Sequence, residues 1–130
     1  DEGNISFQYP SYVNPQLKWT STKIFEYFKL DVNGEIGKSG IIVGGCQIIK
    51  KNEKSKKRYE TVMKVLYADP LLFTDAYNEK NINHKGFWDN RHDQSIFSII
   101  MKLQNSRIID SQHLINGPFK WSRLWDKNMV

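Results

Sequence analysis

"SGIIVGGCQIIKK" (Ser39 to Lys51) is the stretch on which the fold turns. Its β-branched content and its length predict a strand buried on both faces, of the kind found inside α/β sheets. Ile41, Ile42, Val43, Ile48 and Ile49 are expected to form a central strand. Gly44 and Gly45 interrupt the run. A glycine pair inside a strand marks a bulge, a simple kink or the close approach of another backbone or a ligand. Cys46 lies between apolar neighbours and reads as a buried thiol. As the single cysteine of the chain, it forms neither an internal disulfide nor a zinc cluster.

Downstream, "SKKRYETVMKVLYADP" (Ser55 to Pro70) has helical spacing. Ser55 is placed to cap it, Tyr59, Val62, Met63 and Leu66 form an apolar face, and Pro70 lies beyond its end. "LLFTD" (Leu71 to Asp75) reads as a short strand or extended segment, and "AYNEKNINHKG" as a polar loop with His84 exposed and unpartnered. "DQSIFSIIMKL" (Asp93 to Leu103) predicts a helix with Ile96, Phe97, Ile100 and Leu103 inward, and "RIID" (Arg107 to Asp110) a short closing strand. Upstream, "YPSYVNP" is an extended loop. "STKIFEYFKL" (Ser21 to Leu30) is a helix with Thr20 or Ser21 as cap, and "DVNGE" is a turn. Strands and helices alternate, which predicts an α/β fold with a mixed, largely parallel sheet flanked by helices. In such sheets ligands collect at strand ends and helix N-termini.

The chain has 130 residues and reads as one domain, or as the C-terminal part of one. Its net charge of +5 permits an anionic partner without choosing one. Much of that charge sits in "KKNEKSKKR" (Lys50 to Arg58), which reads as a solvated loop and helix start. No apolar run is long enough to span a bilayer. The first residues are not a signal peptide, and the lack of an initiator Met predicts a piece of a longer protein.

The chemistry concentrates at "FWDNRHDQSIFSII" (Phe87 to Ile100), where six polar or charged residues run straight into an apolar helix. Two readings of Asp93 compete. As an N-cap it would accept hydrogen bonds from the first helical turn. That role needs one acceptor and leaves Arg91, His92 and Gln94 beside it unexplained. In the second reading Arg91 and His92 hold the carboxylate ionised and oriented, and Asp93 acts as a general base or binds a sugar hydroxyl.

"KWTSTKIFEYF", "GGCQIIKKN", "DPLLFTD" and "RHDQSIFSIIMK", spanning roughly residues 18 to 104, together resemble the acceptor-side half of a GT-A-fold glycosyltransferase. "RHDQSIFS" is similar to the "HRHDQSxxS" of some cellular and large-virus sugar transferases, those of large algal viruses among them. The resemblance implies transfer of a hexose from a nucleotide-sugar, expected to be a UDP-sugar, to a glycan or glycoprotein acceptor. It implies Asp93 as the catalytic base of an inverting reaction or as a sugar-binding carboxylate of a retaining one. Gln94, Arg91 and His92 would contact substrate, and Gly44 and Gly45 would let the strand approach the donor. A cytoplasmic location follows for such an enzyme, the host cytoplasm if it is viral.

The family's Asp-x-Asp motif, which holds Mn²⁺ or Mg²⁺ against the nucleotide diphosphate, is absent from this chain. Asp1 is either the last carboxylate of such a motif or an ordinary acidic terminus. "HLINGPFKW" (His113 to Trp121) resembles an "HxxGxxKPW" motif of one retaining family, which would make His113 a metal ligand and Lys120 a diphosphate contact. It departs by one extra residue before Gly117 and by the missing Pro before Trp121. Otherwise His113 is a surface histidine. The N-terminal nucleotide-binding half of the family's domain is also lacking, so a partner or preceding segment is expected to supply it. The rival reading is a basic nucleic-acid-binding module, resting on charge and on basic residues between aromatics in the tail. No recognised nucleic-acid motif supports it, and the main reading expects no nucleic-acid partner.

Overall fold

A computed structural model describes residues 3–117. Asp1 and Lys120, two of the expected site residues, lie outside them. Among the described residues the chain forms an α/β structure with one mixed three-stranded sheet. Strand β1 (Asn4–Gln8) is its centre, flanked by β2 (Ile42–Ile49) and β3 (Arg107–Asp110). β1 pairs antiparallel with β2 and parallel with β3. The general α/β expectation therefore holds, whereas the sheet is evenly mixed and not largely parallel.

The fold-deciding run is a strand, but an edge strand. Only its first half is buried: Ile41, Ile42 and Val43 are inside, while Ile48 and Ile49 are 41% and 50% exposed. The expected central position belongs instead to "NISFQ". That segment escapes a periodicity reading because its buried positions include Asn4 and Ser6 as well as Phe7. A central strand with polar side chains inside does not display an apolar signature. Asn4 accepts a hydrogen bond from buried Arg58 at 3.1 Å, which offsets part of its desolvation.

The glycine pair does mark an irregularity. Ser6 pairs with Gln47, yet Gln8, two residues on, pairs with Ile42. Residues 43–46 thus bulge away from the ladder around Gly44 and Gly45. Cys46 is half-buried beside the small cluster of Phe7, Val43 and Leu114.

Three helices make the main core: α1 (Thr22–Tyr27), α3 (Glu53–Ala68) and α4 (Asp93–Leu103). Ile24, Phe25, Val62, Val65, Leu72, Ile96, Ile99 and Ile100 meet there. The apolar face of α3 is rotated from the expected one. Arg58, Val62 and Val65 point inward, Leu66 is half-buried and Met63 is 42% exposed. α3 begins with a capping box in which Asn52 is the cap and Ser55 the reciprocal partner. α4 spans the predicted residues, with Phe97 partly buried and Leu103 43% exposed. "LLFTD" is a 3-10 turn (Pro70–Phe73) and not a strand. Ser21 is the N-cap residue of α1, as expected, but its side chain makes no capping bond; the start of the helix is held from a distance, where Asn83 Oδ1 accepts from Thr22 N at 2.8 Å. Two short helices, α2 (Glu35–Lys38) and α5 (Gln112–Asn116), complete the described α-helices. No described helix is long and apolar enough to cross a membrane.

α4 is tied to its neighbours by a buried polar network. Gln16, fully buried, donates to Thr20 Oγ1 (2.7 Å) and to the Ser95 carbonyl (3.1 Å). Its Oε1 accepts from Ser98 Oγ and, at 2.8 Å, from Lys102 Nζ. Ser98 Oγ also accepts from Ile42 N at 2.9 Å, locking the start of β2 to the helix. Lys102 donates a second bond to the Gly40 carbonyl at 2.8 Å, and burial pushes its amine down from 10.5 to about 7.

Candidate active site

The polar run enters α4 through an abrupt turn. His92 is the helix N-cap residue, with φ 54 and ψ −123. A side chain with a β-carbon is strained there, by roughly 1–3 kcal/mol. Arg91 N on one side of the turn donates to Trp19 O (3.1 Å) and to Ser95 Oγ (3.0 Å), and Ser95 Oγ donates back to Trp19 O. These bonds, together with the buried helix behind them, hold the strained turn in place.

Asp93 is the first residue of α4 and is exposed. It is not the cap. Its Oδ1 accepts from the next backbone N–H, Gln94 N, at 2.9 Å, so the carboxylate has a fixed position and an open face. Gln94 turns the other way. Its Nε2 donates to the Ile42 carbonyl at 2.7 Å, and its side chain lies across Gly44. A β-carbon at Gly44 would meet the Gln94 side chain at 3.2–3.3 Å. What approaches this glycine is therefore Gln94. The bulge in β2 and the mouth of α4 fit together, with Gly44 and Gly45 exposed beside them.

The neighbours expected to hold Asp93 have other partners. His92 Nε2 lies 2.6 Å from Asp75 Oδ1, an exposed pair. Asp75 also accepts from Asn78 Nδ2 (3.1 Å), which donates in turn to Asp89 Oδ1 at 2.8 Å. The Arg91 guanidinium lies over the Trp19 ring, 4.3 Å from its centroid. Asn90, buried, fastens the loop before the helix by donating to the carbonyls of Leu72 and Thr74.

Arg91 and Gln94 line a cavity of about 110 Å³ with Tyr9, Asn14, Trp19 and Ile41. Tyr9 and Asn14 belong to a segment that reads in sequence as an extended loop, and Trp19 lies just beyond it. The tryptophan of "KWTSTK" is the one local signal that points to this wall. His84 is half-buried, contrary to expectation. Its Nε2 lies 2.7 Å from the Leu17 carbonyl and its Nδ1 2.8 Å from Thr22 Oγ1. Thr22 Oγ1 accepts from His84 N (2.9 Å). The Leu17 carbonyl can only accept, so Nε2 donates to it, and His84 is a structural histidine joining the loop to α1.

His113 is exposed on α5. Among the described residues no three His, Cys, Asp or Glu side chains are grouped to hold a metal ion. With Asp1 and Lys120 outside those residues, the described part of the chain does not by itself fit the expected Mn²⁺ or Mg²⁺. Compared with protein-family models, curated proteins and solved structures, the chain matches none.

Proposed function

We propose that the chain is the acceptor-side part of a nucleotide-sugar glycosyltransferase, transferring a hexose from a UDP-sugar to a glycan or glycoprotein acceptor in the cytoplasm. The observation that carries this reading is the Asp93–Gln94 pair. One side chain is anchored to β2 across Gly44, and the other is an open carboxylate beside a strained turn. Backbone strain of this kind clusters at functional sites. The likeness of "RHDQSIFS" to sugar-transferase motifs supports the same residues.

Asp93 is the group to take a proton from an acceptor hydroxyl, or to hold a sugar hydroxyl if the anomeric centre is retained. Gln94 orients the strand end, and Arg91 and His92 border the acceptor side. A divalent metal, if used, would be held by groups beyond the described residues, Asp1 among them, with His113 as a further ligand and Lys120 on the diphosphate. The nucleotide-binding half belongs to a preceding segment or a partner chain. UDP-hexose turnover by the complete domain, measured with and without EDTA, tests the metal assistance. Loss of turnover on chelation and its return with Mn²⁺ is the expected result, and turnover indifferent to EDTA removes the metal from the proposal.

A further inference from the structure

The cavity beside Trp19 has a chemistry of its own. At about 110 Å³ it is well below the roughly 300–1,000 Å³ of sites that enclose a whole small molecule. It can seat a functional group, with the rest of the ligand outside. Its wall contains one formal charge, the guanidinium of Arg91, and no carboxylate. Arg91 is held by its backbone bonds and by stacking on Trp19. Among the described residues none accepts a hydrogen bond from the guanidinium. Lys18 Nζ lies 4.9 Å from the centroid of the same ring, so two cations share one indole. Of the two acids nearest Arg91 in sequence, Asp93 accepts from Gln94 N and Asp89 accepts from Asn78 Nδ2, and His92 is paired with Asp75.

The amides in the wall have assigned directions. Asn14 Oδ1 accepts from Trp19 Nε1 at 3.0 Å, which leaves its Nδ2 as donor. Gln94 Nε2 is bound to Ile42 O, which leaves its Oε1 as acceptor. Tyr9 also lines the cavity. A guanidinium fork and an amide N–H suit an oxyanion, and an arginine fork matches carboxylate or phosphate oxygens two at a time.

We infer that this cavity binds an oxyanion, the carboxylate or phosphate group of a ligand, with Arg91 as its principal contact and a ligand hydroxyl donating to Gln94 Oε1. The inference rests on the cavity alone and holds whether or not the chain transfers a sugar.

The test is a ¹H–¹⁵N titration of the Trp19 indole N–H, assigned with Trp19→Phe, at constant ionic strength. The probes are inorganic phosphate, D-glucuronate and neutral D-glucose. A saturable shift with either anion and none with glucose is expected. Phosphate alone would indicate a phosphate-bearing ligand and glucuronate alone a carboxylate. Arg91→Ala should abolish the shift and Arg91→Lys weaken binding by about tenfold, both with unchanged dispersion elsewhere in the spectrum. An indole signal that moves with neither anion, moves equally with glucose, or still saturates in well-folded Arg91→Ala overturns the inference. So does a shift of the exposed lysines at the same concentrations as Trp19, which would mean an adventitious ion only.

Discussion

The two ends of the polar content on α4 behave in opposite ways. At its mouth, Arg91, His92 and Asp93 are exposed, and the carboxylate and guanidinium retain capacity toward solvent. Further in, Ser95 and Ser98 are fully buried. With Lys102 they are joined to Gln16, to Trp19 O and to the start of β2. Both regions are unusually polar for a core helix. The inner one is a bracket whose donors and acceptors are used within the protein. The outer one leaves its carboxylate and guanidinium open to solvent. Polarity on a helix thus has two meanings, and burial with partnering decides between them.

The largest effect should come from the inner region. Lys102 has its folded pKa lowered to about 7 from an ordinary 10.5. Between those values the unfolded chain binds more protons than the folded one, so this group makes stability rise with pH across that window. Below about pH 7 both states are protonated and the full cost of the buried ammonium is present. Lys102→Met removes that dependence. The stability of the parent relative to that variant should therefore rise by on the order of a few kcal/mol from pH 7 to pH 10 in denaturant melts. Parallel pH profiles for the two proteins would show that Lys102 is solvated and the bracket open.

At the mouth, Asp93→Asn should separate structure from chemistry. Asparagine keeps the Oδ1 that accepts from Gln94 N, so stability should change by less than about 1 kcal/mol. Turnover should fall on the order of 10²-fold, about 2.7 kcal/mol of barrier, if the carboxylate is a base. Near-normal kcat would make the outer region as structural as the inner one and erase the contrast.

Ser98→Ala gives the mirror result. A serine on an amphipathic helix is ordinarily a bystander whose substitution changes stability little. The structure makes it the acceptor for Ile42 N and a donor to Gln16. Leaving Ile42 N without its partner should cost about 2 kcal/mol in a urea melt, with kcat per folded molecule unchanged. A loss below about 0.5 kcal/mol would return Ser98 to bystander status.

Elements carried by a single period are legible in the sequence. The bounds of α4, the helix that begins within "KKNEKSKKR" and the strand character of Ile42–Ile49 all follow from spacing and β-branching. The glycine pair announces its bulge, and at Gly44 a β-carbon would require the Gln94 side chain to give by a few tenths of an ångström. Elements that violate the polar-out rule are not legible. β1 hides Asn4 and Ser6, and α3 buries Arg58 where the spacing predicts an apolar face through Met63. Each is stabilised by a partner distant in sequence: Arg58 reaches Asn4 and the Gln104 carbonyl.

For the candidate site the division is similar. The sequence by itself determined which residues crowd the mouth of α4, because Asp93, Gln94 and their neighbours are contiguous and precede an apolar helix whose start is encoded locally. Only the tertiary structure decided what each one faces. It sent Gln94 to β2 and His92 to Asp75, set Arg91 over Trp19, and left Asp93 open. Helical period fixes the direction of a side chain relative to its own axis. The partner it meets there is set by packing between segments that can lie more than eighty residues apart, such as Gln16 and Ser98, and no local pattern encodes that distance.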